Sequence, residues 1–264
     1  MRREDFHSAD EFIDRIAQLE RDYTDLLFHQ LYSNAGNLQA WYNEPNKVTE
    51  TWVGKMATGP KEGAVSWDQV GEIVLVGLIN RAFPDWFPIG LPIGSETRLS
   101  SHDAVIHIDV KSHKEGDADL DRTQDVRPEQ ISGDGGCSLK KWPPALGENA
   151  RVQDEKGDLG SSPPKLPPFY DFGANALKVC LTFFMIFAYR FDPKHGYQFL
   201  TRVQLATVPN GLLRKRSDYR DIFQAGKDGR EAHRFRINLP KLAGHEAWRW
   251  RELKYEPHAV VISR

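Results

Sequence analysis

Glu96, Asp109 and Lys111 are the residues of this chain whose types and spacing suit the hydrolysis of a phosphodiester. Asp109 and Lys111 stand two apart at the end of the apolar run Val105 to Val110. Such a run predicts a buried β-strand, and residues i and i+2 of a strand point to the same face. One face therefore carries an anion beside a cation. Burying such charges costs several kcal/mol each unless they are paired or hold a metal ion, so a core strand has little structural reason to end this way. Two carboxylates suit a hard cation such as Mg2+, which takes oxygen ligands and keeps waters that can act as nucleophile. The lysine can orient or deprotonate that water, or offset charge on the phosphorane-like transition state. A plain ion pair at a strand end has the same Asp-x-Lys string, and only context separates the two readings.

The elements that must hold these residues are legible in part. Ser8-Ala-Asp-Glu11 has the pattern of a capping box, and Phe12, Ile16, Leu19, Tyr23, Leu26 and Leu27 follow at helical spacing, which predicts a helix over 9–33. A second helix is predicted over Trp67 to Phe83, with Glu72 set among Val70, Ile73 and Val76. From Pro84 to Lys111 the reading is loop, strand, turn, strand, with Pro92, Gly94 and Ser95 marking the turn before Glu96. Residues 112–168 are rich in Gly, Pro and charge and read as an excursion with little secondary structure of its own. Strands follow at about 177–191 and 197–208, turning at Asp192 to Gly196. Arg234-Phe-Arg-Ile-Asn-Leu alternates polar and apolar residues as a half-buried strand does, and a last strand is expected from Leu253 to Ile262. The expected fold is a single α/β domain over 1–264 with a central mixed sheet flanked by helices and long loop insertions. Within it, 1–66 is an N-terminal helical and loop region, 67–111 the catalytic segment, 112–168 the loop-rich insertion and 169–264 the sheet with DNA-recognition strands.

Composition narrows the functional classes. A net charge of −2 over 264 residues argues against indiscriminate coating of nucleic acid but leaves room for a local basic groove. Between Gly211 and Arg236 there are eight Lys or Arg against four acids, whereas Glu115 to Asp134 holds seven acids against two arginines. One stretch is suited to phosphates, the other to a metal site or solvent. The two cysteines, Cys137 and Cys180, lie far apart, and the apolar setting of Cys180 suggests a buried reduced thiol. His102, His107 and His113 lack metal-ligand spacing and read as solvated or supporting groups. The first residues lack the apolar stretch of a secretory signal, and Val179 to Tyr189 is too short to span a membrane, so a prokaryotic cytoplasmic setting without membrane association is expected.

Several strings together resemble the BglI and SfiI group of type II restriction endonucleases, within the PD-(D/E)xK nuclease fold. They are Tyr42-Asn-Glu, Trp67-Asp-Gln-Val-Gly-Glu72, Gly90 to Arg98, Ile108-Asp-Val-Lys-Ser112, Pro128-Glu-Gln-Ile-Ser-Gly133, Leu205 to Leu212 and Gly226-Lys-Asp228, in the same order as in BglI. The tail Ala247 to Tyr255 is more similar to SfiI. The resemblance implies that Asp109 and Lys111 are the second catalytic carboxylate and the lysine, and that Glu96 takes a position where BglI has aspartate. Glu96, Asp109 and the Val110 carbonyl would then hold Mg2+, with Glu72 as a further catalytic glutamate from a helix. Asp103 has no counterpart among the ligands. For DNA, the resemblance implies base reading by Asp117, Lys227, Arg234 and Arg236, with Asp228 a possible cytosine acceptor because Gly229 replaces a second acid. The chemistry agrees, since Arg and Lys donate to guanine O6 and N7 while Asp accepts from cytosine N4. Arg214, Lys215, Arg216, Arg220 and Arg230 would contact phosphates.

The activity implied is Mg2+-dependent cleavage of both DNA strands at an interrupted palindrome with GC-rich half-sites, like GCC-N5-GGC, leaving 3′ overhangs. The partners implied are double-stranded DNA, a second copy in a homodimer or a tetramer, and a DNA methyltransferase of the same system without a stable complex. Two other readings remain open at this point: a DNA-binding protein with a degenerate nuclease site, for which Glu96 in place of aspartate speaks, and a repair nuclease that reads structure.

Overall fold

A computed structural model describes residues 1–43, 78–79, 81–88, 97–134, 153–154, 157–158, 164–173, 176–192, 197–215, 219–225, 235–256 and 259–263. Helix α1 (Ala9–Ser33) has the expected bounds, and Ser8 caps it by accepting the Glu11 N–H at 3.2 Å. The Glu11 carboxylate accepts the His7 N–H at 2.7 Å, one residue before the position that completes a capping box. Phe12, Ile13, Ile16, Leu19, Leu27 and Leu31 form its buried stripe. Leu26 is 39% exposed, because it lies a quarter turn or so from the Leu27 line. Helix α2 (Ala35–Asn43) follows directly. Of the helix expected over 67–83, residues 78–79 and 81–82 are helical, and 67–77, with Glu72, lie outside the described residues.

The strands are β1 (Phe87–Pro88), β2 (Thr97–Ser100), β3 (Ala104–Lys114), β4 (Thr123–Val126), β5 (Gln153–Asp154), β6 (Gly157–Asp158), β7 (Phe169–Asp171), β8 (Leu177–Asp192), β9 (Tyr197–Val208), β10 (Phe223–Ala225), β11 (Phe235–Asn238), β12 (Trp250–Glu256) and β13 (Ala259–Ser263). Short helices α3 (Gly211–Lys215) and α4 (Leu239–His245) flank β10 and β11. The main sheet runs β1-β2-β3-β8-β9-β12-β13, with β7 also on β8. Its β3–β8 pair is parallel and its other described pairs are antiparallel.

A parallel pair needs a crossover connection, and the expected excursion over 112–168 is that connection. It is more structured than its composition suggests. β3 extends to Lys114, and β4 pairs with β11 in a second sheet ordered β10-β11-β4. The polar string Thr-Gln-Asp-Val forms a strand because β11 offers an edge, which no local propensity reveals. Likewise the expected last strand is a hairpin of β12 and β13, paired from Glu252–Ser263 to Glu256–Ala259.

Alternation along β3 sends Ala104, Ile106, Ile108 and Val110 to the face covered by α1, where they pack with Phe12, Ile16, Phe183, Met185 and Phe187. The opposite face presents Phe184, Ile186, Ala206 and Val208 to the small sheet and α4 through Val126, Phe235, Ile237 and Leu242. The core is thus two apolar layers either side of one sheet, and Asp109 and Lys111 lie on the small-sheet side by register with Phe184 and Ile186. Across the molecule, Glu20 of α1 and Arg249, at the end of the 3-10 turn Ala247–Arg249, form an ion pair at 2.7 Å with both side chains almost wholly buried. Glu20 also accepts the Asn210 N–H at 2.6 Å, which ties α1 to the end of β9. Removing one partner strands the other charge, so Glu20→Ala is expected to lower stability by about 3–5 kcal/mol in urea unfolding.

Candidate active site

Asp109 is 1% exposed at the middle of β3, with one carboxylate oxygen hydrogen-bonded and the other in an ion pair. Lys111 Nζ lies 2.6 Å from Oδ2, with the lysine side chain 25% exposed and its ammonium 5.7 Å from the Phe184 ring centre. Gln130 Nε2 donates to Oδ1. Strand alternation brings Asp109 and Lys111 together, as the sequence predicts, while Gln130 arrives from the crossover, 21 residues downstream. No local spacing could have linked it to Asp109, and its only signal in the sequence is the string Pro128 to Gly133.

Glu96 lies outside the described residues. It is covalently joined to Thr97, whose register partner is Ile108, the residue before Asp109. Val110 is 7% exposed. Among the described residues no three His, Cys, Asp or Glu side chains are grouped as a metal site. The described candidate ligands, the buried Asp109 carboxylate and the neighbouring Val110 carbonyl, are oxygen donors of the kind a hard cation takes.

Asp117 follows β3 in a turn where Gly116 takes φ +93°, a conformation that glycine adopts without a Cβ clash. Its carboxylate accepts the Lys114 N–H at 3.1 Å and lies 3.7 Å from His113 Nδ1. Arg236 stands on β11 directly across from Asp125 of β4, and its Nε donates to Asp125 at 3.0 Å, with an amino group 3.9 Å from Asp119. Lys227, Asp228, Arg230, Arg234 and Arg216 lie outside the described residues. Only the backbone is described for Lys215, the last residue of α3, and for Arg220, the first of a 3-10 turn.

Arg214 departs from the phosphate-contact expectation. It is 7% exposed, donates to the Pro209 carbonyl at 2.8 Å and to that of Ser132, and stacks 4.9 Å from the Phe223 ring centre. Burial pulls its pKa down to about 10, and its donors serve backbone acceptors rather than a surface. A basic run in the sequence does not reveal that one member of it turns inward.

Of the two roles expected for His107, solvated or supporting, its burial at 1% exposure leaves the second. Its Nε2 lies 2.9 Å from the Tyr170 hydroxyl, which is hydrogen-bonded in turn to Cys180. Burial, helped by the Arg98 charge, pushes His107 down to about 3, and burial pushes the reduced Cys180 thiol up to about 12. His102 is exposed, and His113 Nε2 pairs with Gln124 Oε1 at 3.0 Å. Asp103 accepts from Tyr23 at 2.7 Å and pairs with Arg15, a structural role.

The family description for restriction endonuclease BglI matches residues 3–253. The chain belongs to the BglI restriction endonuclease family. Its fold is that of the restriction endonuclease BglI bound to its DNA recognition sequence, with a TM-score of 0.68 at 24% identity, covering 93% of this chain and 94% of that one. Tetrameric SfiI bound to cognate DNA is similar over 94% of this chain and 87% of its own, with a TM-score of 0.62 at 15% identity. No curated protein matches significantly. Among the described residues, no helix of this BglI-family chain is long and apolar enough to cross a membrane.

His107 makes a pH prediction. Its pKa is lower folded than unfolded, so the unfolded chain takes up the proton first and stability falls as pH drops from about 6.5 towards 3. By pH 5 the loss from this group is about 2 kcal/mol relative to pH 8. His107→Gln, which keeps a partner for Tyr170, is expected to flatten the pH dependence of urea unfolding by that amount. An unchanged slope would show that His107 does not titrate on unfolding.

Proposed function

We propose that this restriction endonuclease cuts both strands of an interrupted palindrome with GC-rich half-sites of the GCC-N5-GGC kind, using Mg2+ and leaving 3′ overhangs. The observation that carries the proposal is the buried Asp109 carboxylate paired with Lys111 in the middle of β3. An ion pair placed there only for stability would be replaceable by apolar side chains at little cost.

Glu96, Asp109 and the Val110 carbonyl would hold the cation, with Glu72 reaching the site from its helix. When bound, Mg2+ supplies charge neutralisation at the scissile phosphate and raises the acidity of water. Lys111, held by Asp109 yet reachable from solvent, orients the attacking water and offsets charge that builds on the phosphate oxygens. Asp109 keeps that ammonium in place through the 2.6 Å pair.

Base reading is assigned to Asp117, Lys227, Asp228, Arg234 and Arg236. Support for Arg236 comes from Asp125 and Asp119, which hold its Nε and one amino group and so fix the plane in which the guanidinium meets an acceptor such as guanine O6 or N7. Lys215, Arg216, Arg220 and Arg230 supply phosphate contacts that set register rather than sequence. A homodimer, alone or paired into a tetramer, matches a palindrome by twofold symmetry, and a methyltransferase of the same system protects host DNA.

Incubation of plasmid DNA with the protein and Mg2+ is expected to give discrete fragments, and run-off sequencing of their ends reads site, spacer and overhang together. Binding without cutting at any metal concentration would favour a degenerate nuclease, and cutting set by DNA structure would favour a repair role. Lys111→Ala and Asp109→Ala are each expected to lower the cleavage rate by about 10²–10⁴-fold while specific binding persists; turnover at the wild-type rate would overturn the assignment. Arg236→Ala is expected to cost about 1–3 kcal/mol in specific binding and to relax discrimination at one base pair of each half-site.

A further inference from the structure

We infer that Gln130 is a positioning residue that sets the rotation of the Asp109 carboxylate, so that this group meets its cation in a single orientation. The inference rests on the reading of Asp109 as a metal-binding carboxylate.

Gln130 ends the 3-10 turn Pro128–Gln130 and is 4% exposed. While its Nε2 donates to Asp109 Oδ1, its Oε1 accepts the Arg127 N–H at 2.8 Å. These partners distinguish the two ends of the amide. A flipped side chain would set its NH2 against an N–H donor and its oxygen against a carboxylate.

The turn that carries Gln130 is itself held. The Gln130 N–H donates to the Arg127 carbonyl at 2.9 Å, the Lys165 N–H to Pro128 O at 2.8 Å, and the Leu166 N–H to Ile131 O at 3.2 Å. Pro128 fixes its own φ. Gln130 is therefore ordered by backbone contacts independent of Asp109, as a group that orients a ligand must be.

Asp109 needs such a group because rotation about the terminal bond of aspartate has a broad, weakly directing well. Lys111 alone does not supply direction, since an ammonium on a flexible stem acts as a point charge. With Gln130 on Oδ1 and Lys111 beside Oδ2, rotation is stopped from both sides. The donor is also neutral. A second positive side chain in its place would hold the carboxylate equally well but would repel the ion that the carboxylate is there to bind.

The test uses the full-length protein with Gln130→Met, which keeps an unbranched side chain of similar volume and removes both hydrogen bonds. In calorimetric titration with Mn2+, the wild type is expected to bind, Asp109→Ala to lose binding, and Gln130→Met to bind about 10–100-fold more weakly. The Mg2+ concentration giving half-maximal cleavage should rise by the same factor, with the rate recovering at saturating Mg2+, and DNA binding without metal should be unchanged. Unaltered Mn2+ affinity and Mg2+ dependence in Gln130→Met would overturn the inference. Mn2+ binding retained by Asp109→Ala, or absent from the wild type, would instead overturn the reading on which it rests. If Gln130→Met loses metal-free DNA binding, Gln130→Asn, whose amide is one methylene too short to reach Asp109, replaces it. Loss of metal-free DNA binding in both variants would assign Gln130 to holding the fold, and so overturn the inference.

Discussion

Parallel pairing of β3 with β8, from Ala104–Val179 to Lys114–Tyr189, decides which face each side chain of the site takes. Because side chains alternate, a slip of one residue would turn Asp109 and Lys111 into the apolar layer beneath α1 and bring Ile108 and Val110 to the site. The register resists such a slip because both faces are packed, with α1 on one and the small sheet on the other. The same pairing imposes the crossover. A chain that returns to lie parallel must travel the length of the sheet, and on the way it lays β4 and the turn Pro128–Gln130 over the face that Asp109 occupies.

In the proposed assignment, reading and cutting fall to one layer. Arg236 and Asp125 face each other on β11 and β4, and four residues after β4 the chain delivers Gln130 to the carboxylate. Asp117 leaves the far end of β3 itself, six residues beyond Lys111. Contacts to bases and contacts to the scissile phosphate would therefore be made from elements joined by a few residues of ordered chain. The buried Glu20–Arg249 pair and the Arg214 guanidinium do different work, the first tying α1 to the turn before β12 and the second tying α3 to Pro209 and to Ser132 of the crossover. They carry charge without addressing DNA, so the basic run from Gly211 to Arg236 contributes fewer surface cations than its composition suggests.

Legibility followed the range of the interactions involved. Helix α1, the strand carrying Asp109-Val-Lys111, and the long hairpin of β8 and β9 were readable because each depends on periodicity or a turn within a short window. β4 escaped because three polar residues and a valine become a strand only beside β11. The inward turn of Arg214, the burial of His107 against Tyr170, and the hairpin of β12 and β13 escaped for the same reason. Glu96 and Glu72, read as members of the site, lie outside the described residues, so for them the sequence reading stands as a proposal.

The amino-acid sequence by itself determined that an anion and a cation share one face of an apolar strand, and the matching strings pointed to the nuclease family. Alternation along a strand is a local property and needs no partner. Tertiary structure decided that the carboxylate is buried, that a glutamine 21 residues away grips it, and that Arg214 turns inward. Those outcomes depend on where the crossover and the small sheet come to rest, and pairings between distant segments have no signature in a short window of sequence.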